Sequence, residues 1–160
     1  MTERAEDLAQ RFAAGNDAFS AFIAAIPAAK WDQVVGEGEL RTVGMVAQHV
    51  AFSYGFLARY FGAIADGQPL PSLSPAEGHA LNARVAQEAA EMTQAAVLAA
   101  LRSAAVTATA WIRGLSDAQL AQQGEYLVGA GTLPLERWIA GGYVSHPRAH
   151  LKDIRTALGG

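Results

Sequence analysis

Ser145-His146-Pro147-Arg148-Ala149-His150-Leu151 is the stretch on which the reading of this chain turns. It lies inside a run, 132–158, that otherwise reads as an amphipathic helix. Two histidines four residues apart stand one above the other on a helix face, because four residues is close to one turn. Imidazoles placed that way can close on a single metal ion. The HExxH zincins use the same spacing with Glu second; here that position is Pro147, so no built-in general base accompanies the pair. Two histidines seldom hold a metal alone, and a third ligand has to come from elsewhere.

Outward from this stretch, Pro134 and Glu136 open the final helix. Leu135, Trp138, Ile139, Gly142, Tyr143, His146, His150 and Ile154 trace one broad stripe, which predicts packing against more than one neighbour. Pro147 predicts a kink, since proline lacks a backbone donor and crowds the carbonyl four residues back, on Tyr143. Upstream lie a Gly-rich loop at 124–131 and a short turn at 117–121 capped by Ser116. Earlier still, Ser74-Pro75-Ala76-Glu77 reads as a capping box opening a run of helix formers that lasts to Gly114. Unbroken, that run would measure about 60 Å, too long for a compact domain of this length, so a bend is predicted at 78–83.

Thr42 caps a second helix reaching Asp66, with Val43, Val46, Val50, Leu57, Phe61 and Ile64 on its core side. Phe52, Phe56 and Tyr60 thicken that band, and His49 falls within it. Gly67-Gln68-Pro69-Leu70-Pro71 stops the helix. The first helix spans 2–26, with Thr2 as its cap and Glu3, Glu6 and Asp7 in the first turn, where acids suit the dipole. Leu8, Phe12, Phe19, Phe22 and Ile26 form its stripe; Pro27 ends it, and 28–41 reads as a loop folding back. Four long helices without a convincing strand predict an all-α fold: an up-down four-helix bundle, one domain over 1–160, with a long connection before the last helix.

Composition narrows the function. With 160 residues, 51% hydrophobic and 17% charged, the chain can bury a proper core without staples. A formal charge of −3 with no Lys/Arg cluster argues against nucleic acid. The absence of cysteine excludes disulfides, thiolate metal sites and cysteine nucleophiles. The acidic N-terminus lacks the layout of a signal peptide, and the longest apolar run, 51–65, carries Arg59. A cytoplasmic location with no membrane partner is the expectation, and the abundance of apolar residues predicts a homodimer.

Three histidines thus stand on inward faces: His49 on the second helix, His146 and His150 on the last. Three neutral imidazoles with an open fourth position make the ligand set of a catalytic zinc-type site; nickel and iron(II) accept it too. Each ring must offer one nitrogen to metal and its other N–H to an acceptor, for which Asp153, one turn beyond His150, and Gln48 are candidates. The plainer alternative is a non-catalytic bundle whose histidines bind metal or ligand for sensing, or simply pack. A di-iron carboxylate bundle would need Glu-x-x-His on two helices, and none is present. A phosphotransfer histidine should be exposed among polar residues, whereas His49 sits among Val46, Val50 and Phe52.

The segment Thr42-Val43-Gly44-Met45-Val46-Ala47-Gln48-His49-Val50, the connection Leu115-Ser116-Asp117-Ala118-Gln119-Leu120 and the terminal helix from Thr132-Leu133 through Trp138 to His146-Pro147-Arg148-Ala149-His150-Leu151-Lys152-Asp153-Ile154 together carry a resemblance. In these the chain resembles the DinB/YfiT-like superfamily of metal-dependent four-helix proteins, with its thiol-transferase and maleylpyruvate isomerase-type members. The order, one histidine in helix two and a pair in helix four, is its specific part. The chain departs from the pattern at Arg41, where an aromatic is common. The resemblance implies a metal triad of His49, His146 and His150. It implies a divalent metal (zinc or nickel foremost, iron as a further candidate) and a fourth position for water or a low-molecular-weight thiol. The reaction it implies is thiol transfer to, or hydrolysis of, a small electrophilic substrate. Ser53, Phe56 and Tyr143, each one or two turns from a triad histidine, are expected to shape the substrate pocket, with Gly141-Gly142 leaving space. Asn82 and Arg84 are expected at its mouth, Arg84 to meet an anionic substrate.

Overall fold

The computed structural model describes residues 2–36, 42–69, 72–90 and 92–159. Arg41, Leu70 and Pro71, to which the sequence reading attached a family departure and a helix stop, lie outside them. The first helix, α1 (Glu3–Ala25), starts where the Ala5 N–H donates to Thr2 Oγ1 at 3.2 Å. Its stripe of Leu8, Phe12, Phe19 and Ile23 is buried, and Pro27 follows the final turn. The carbonyls of Ile23 and Ile26 accept the side-chain amide of Gln94, 2.6 and 3.0 Å away, so groups orphaned at the helix end find a donor on another helix. The connection then folds back: Gln33 donates to the carbonyl of Ala157 near the far end of the chain, and Val34 bridges Thr42.

Thr42 caps α2 (Val43–Ala65), whose Val43, Val46, Val50, Leu57, Phe61 and Ile64 are all buried. The third helical run divides in two: α3 (Pro75–Ala89) begins at the predicted capping box of Ser74 and Glu77, and α4 is Gln94–Gly114. The division falls between Ala89 and Gln94, not at the expected 78–83. Gly78 weakens a helix by only about 0.5–1 kcal/mol, too little to end it while Val85, Ala86 and Ala89 pack behind it. Thr93 marks the real break, its Oγ1 accepting the Ala96 N–H at 3.2 Å. The two helices cannot share an axis, since α3 lies on α2 whereas α4 packs against both α1 and α2. Among the described residues, α4 is the one helix long and apolar enough to cross a membrane. Its Val97, Leu101, Ala105, Ala108 and Ile112 are nevertheless buried in the bundle, with Arg102 and Arg113 on the exposed side.

A short helix, α5 (Asp117–Leu120), is boxed by Ser116 and Gln119 as the sequence indicates. The Gly-rich loop after it is framed by a two-residue antiparallel pair, β1 (Gln123–Gly124) and β2 (Leu133–Pro134), too brief to leave a periodic signal. Leu73, before α3, bridges Leu127 in this loop, and so ties two connections together. The last helical run starts as α6 (Leu135–Ile139), widens into a π-helical segment (Ala140–Ser145) and continues as α7 (His146–Leu158). The irregularity expected at Pro147 thus takes the form of a π turn directly before it. The bundle comprises α1, α2, α4 and the α6–α7 run. α1 and α2 each adjoin α4 and the last helix, so the order around the bundle is α1, α4, α2, α7.

The location of the break is testable by paired substitutions. Thr93→Ala should lower unfolding free energy by about 1 kcal/mol through loss of the cap. Gly78→Ala, whose new Cβ would lie 3.9 Å from Leu73 Cδ2, should raise it by roughly 0.5 kcal/mol. Urea denaturation of both variants measures these signs, which a break at Gly78 would reverse.

Candidate metal centre

His49 sits two turns inside α2, between the buried Val46 and Val50. His146 is the first residue of α7, delivered by the π turn; its backbone N–H donates to the carbonyl of Gly141, five residues back. His150 follows one turn later on the same face. Gly142 permits the approach of this run to α2, because a Cβ there would fall 2.8 Å from Leu57 Cδ1 and 3.0 Å from Phe61 Cζ.

The three rings meet. His146 Nε2 is 3.0 Å from His49 Nε2 and 3.0 Å from His150 Nε2. Ring centroids are 4.6 to 5.1 Å apart and the planes are nearly perpendicular. Among the described residues this is the one group of three or more His, Cys, Asp or Glu whose ligand atoms all lie within 4.8 Å of one another. Burial pushes His49 down to about 4, helped by the charge His150 would carry. Burial likewise pushes His146 down to about 3, with His150 and His49 adding to the effect. His150 is lowered by burial too, and Asp153 opposes that shift. All three are therefore neutral at physiological pH, the form in which imidazole binds metal.

The remaining ring nitrogens test whether the set fits a metal. Ser53 Oγ gives its proton to the Val50 carbonyl at 2.8 Å, so towards His146 Nδ1, 3.4 Å away, it can only accept. That contact places the proton on Nδ1 and leaves the Nε2 lone pair facing the other two rings. His150 Nδ1 has Asp153 Oδ2 at 3.9 Å, near enough for attraction and too far for a direct hydrogen bond. His49 Nδ1 is buried and has no hydrogen-bond partner. Bonds of about 2.1 Å to one ion separate two ligand nitrogens by roughly 3.0–3.4 Å, a range that the two 3.0 Å separations from His146 Nε2 meet.

Two of the three histidines, His49 and His146, form part of the wall of a cavity of about 340 Å³. Ser53 and Phe56 line it, as do Gly141, Gly142 and Asn82. Tyr143 does not: it is fully buried in the core beside Phe12, its hydroxyl donating to the Tyr54 carbonyl at 2.9 Å. Arg84 is not in the wall either; it is exposed and pairs with Glu88 one turn on, at 3.7 Å. Sequence reasoning missed Leu73, Leu81, Tyr126, Leu127 and Trp138 as lining residues. Trp138 was readable as a core residue; its indole N–H donates to the Gly124 carbonyl at 2.8 Å and so braces the loop that carries Tyr126.

The depressed histidines make stability depend on pH. Their folded values lie below the ordinary 6.5, so as pH falls the unfolded chain takes up protons first and is favoured. In chelator-treated protein the full contribution should be present above about pH 6.5 and decline towards pH 4. The loss should be on the order of 1–3 kcal/mol for each of His49 and His146. Urea midpoints measured across this window should slope less in His146→Ala than in the unmodified chain.

No curated protein sequence matches the chain. Among solved structures, YfiT from Bacillus subtilis, described as "a probable metal-dependent hydrolase with an unusual four-helix bundle topology", superposes with a TM-score of 0.77 at 18% identity, over 99% of this chain and 90% of its own. An uncharacterised protein from Clostridium difficile 630 gives 0.77 at 14% identity, over 98% and 96% of the two chains. A mycothiol-dependent maleylpyruvate isomerase gives 0.75 at 15% identity; 96% of this chain is covered, but only 63% of the isomerase. At these identities the likeness speaks for the fold. The sequence pattern of the DinB superfamily matches residues 5–154, nearly the whole chain, which therefore belongs to the DinB superfamily.

Proposed function

We propose that this chain is a metal-dependent enzyme in which His49, His146 and His150 hold one divalent ion and a thiol is transferred to a small electrophile. The observation that carries the reading is the meeting of three neutral imidazole nitrogens at the edge of a mostly apolar cavity. A divalent ion bound there supplies Lewis acidity, which lowers the pKa of a thiol or water enough to make it a nucleophile at neutral pH. Zinc and nickel both suit three imidazoles with a further position.

The chain's own residues do the rest. Ser53 holds His146 in the tautomer that turns Nε2 towards the triad. Phe52, Phe56, Leu57 and Trp138 exclude water from the space beside it and seat the electrophile. No Asp, Glu or Lys stands in that wall among the described residues, so no side chain offers a strong base during the reaction. A thiol would suit such a site, because its proton would pass to solvent when it binds and the thiolate would need no side-chain base while the carbon–sulfur bond forms. Hydrolysis is the second reading, favoured by the description of YfiT. A cytoplasmic location, where low-molecular-weight thiols stay reduced, fits the same chemistry.

Elemental analysis of untagged protein should find about one divalent ion per chain, and His49→Ala should abolish it. Ser53→Ala, which removes the acceptor for His146 Nδ1, should weaken metal affinity roughly 10–100-fold with the fold intact. Consumption of a low-molecular-weight thiol in the presence of an electrophile should stop on chelation and return with zinc or nickel. A metal-free chain whose stability is unchanged by His49→Ala would instead support histidines that merely pack.

A further inference from the structure

The cavity beside the histidines, about 340 Å³, falls within the range of sites that enclose small organic molecules. Much of its wall is aromatic. Phe52 and Phe56 stack with centroids 6.0 Å apart, and Tyr126 meets Trp138 edge-on at 5.5 Å. Leu81 from α3 extends the apolar lining. Among the described residues, no Asp, Glu, Lys or Arg lines it. Two of its polar groups are already engaged, the Ser53 hydroxyl by the Val50 carbonyl and the Trp138 N–H by the Gly124 carbonyl. The Asn82 amide, the Tyr126 hydroxyl and the imidazoles of His49 and His146 are the other polar side-chain groups on the wall, and all are neutral.

A carboxylate brought into this space would lose its water with no side-chain cation to replace it. Arg84, which sequence reading assigned to an anionic substrate, is outside the wall and paired with Glu88. A neutral ring, by contrast, exchanges water for face and edge contacts with aromatic side chains. We infer that the cavity selects an uncharged, aryl-bearing electrophile, of which an α,β-unsaturated aromatic ester is an example, over the corresponding acid. This deepens the reading above and rests on it for the nucleophile delivered at the histidine edge. The preference belongs to the side chains of the wall; a divalent ion at the histidines would add a cation of its own, so binding is compared with that ion removed.

Methyl cinnamate and cinnamate share one skeleton and differ in charge, so they form a matched pair of probes. Calorimetric titration of chelator-treated protein should give about 10-fold or more tighter binding of the ester, the carboxylate having no cation to meet. Phe56→Ala, at a half-buried position, should weaken ester binding about 5-fold through lost ring contact. Leu81→Arg, on the half-buried face of α3, should move the preference towards cinnamate by about 10-fold. Circular dichroism verifies that both variants keep their helicity. Ester binding that is absent, or no tighter than that of cinnamate, in the unmodified chelated protein overturns the proposal. So does an ester affinity that both substitutions leave untouched. Ester binding with no zinc-dependent loss of thiol would reject the catalytic reading and leave the cavity's preference standing. Zinc-dependent thiol transfer to the acid and not the ester would do the opposite.

Discussion

Everything at the histidine cluster depends on how closely the π-helical segment lies against α2. Gly142 is the point of approach, and Leu57 and Phe61 occupy the space a larger residue would need. With only a hydrogen there, the backbones come near enough for His49 Nε2 to reach 3.0 Å from His146 Nε2. Pro147 contributes from the other side. It has no N–H to give the Tyr143 carbonyl, so an unbroken α-helical ladder is excluded at the place where the wide turn sits. Interruptions of this sort recur at functional sites, where they re-aim side chains that a straight helix would point elsewhere.

Beneath the cluster, the core is aromatic and tightly interlocked. Phe12 meets Tyr54 edge-on at 5.0 Å and Tyr143 at 5.1 Å, and Tyr143 is anchored to the Tyr54 carbonyl. Burial pushes both phenols far up, so this layer stays uncharged. The same burial has a second effect one layer above. It strips water from three imidazoles and holds them neutral, and neutral rings can crowd together without mutual repulsion. Compactness of the bundle and readiness of the nitrogens for metal thus share one cause. The site stands on helices rather than loops, which suits a ligand set that must be held to within a fraction of an ångström.

Much of the fold was legible because its signals are local. The caps at Thr2, Thr42, Ser74 and Ser116 depend on side chains bonding to N–H groups three residues on, and the structure has all four. The third run divides after Ala89 rather than at 78–83 for a non-local reason: α3 and α4 serve different neighbours. Sequence places Arg84 at the pocket mouth to meet an anion, yet Glu88, one turn on along the same helical face, pairs with it. Tyr143 shares its helical run with His146 and His150, but it lies in the core. The loop residues of the cavity wall left no periodic trace, since Tyr126 and Leu127 reach it through a bridge to Leu73, more than fifty residues earlier.

By itself, the sequence determined the helices, their caps and the one-plus-two order of the histidines. Each follows from spacing along a single helix, where 3.6 residues per turn decides which side chains share a face. Only the tertiary structure decided that the histidine of α2 meets the pair of α7 across 97 residues of chain, and that an uncharged aromatic cavity opens beside them. Those outcomes depend on the separation and rotation of neighbouring helices. At Gly142, Leu57 and Phe61, close packing of side chains from distant segments sets that separation, and no local rule reports it.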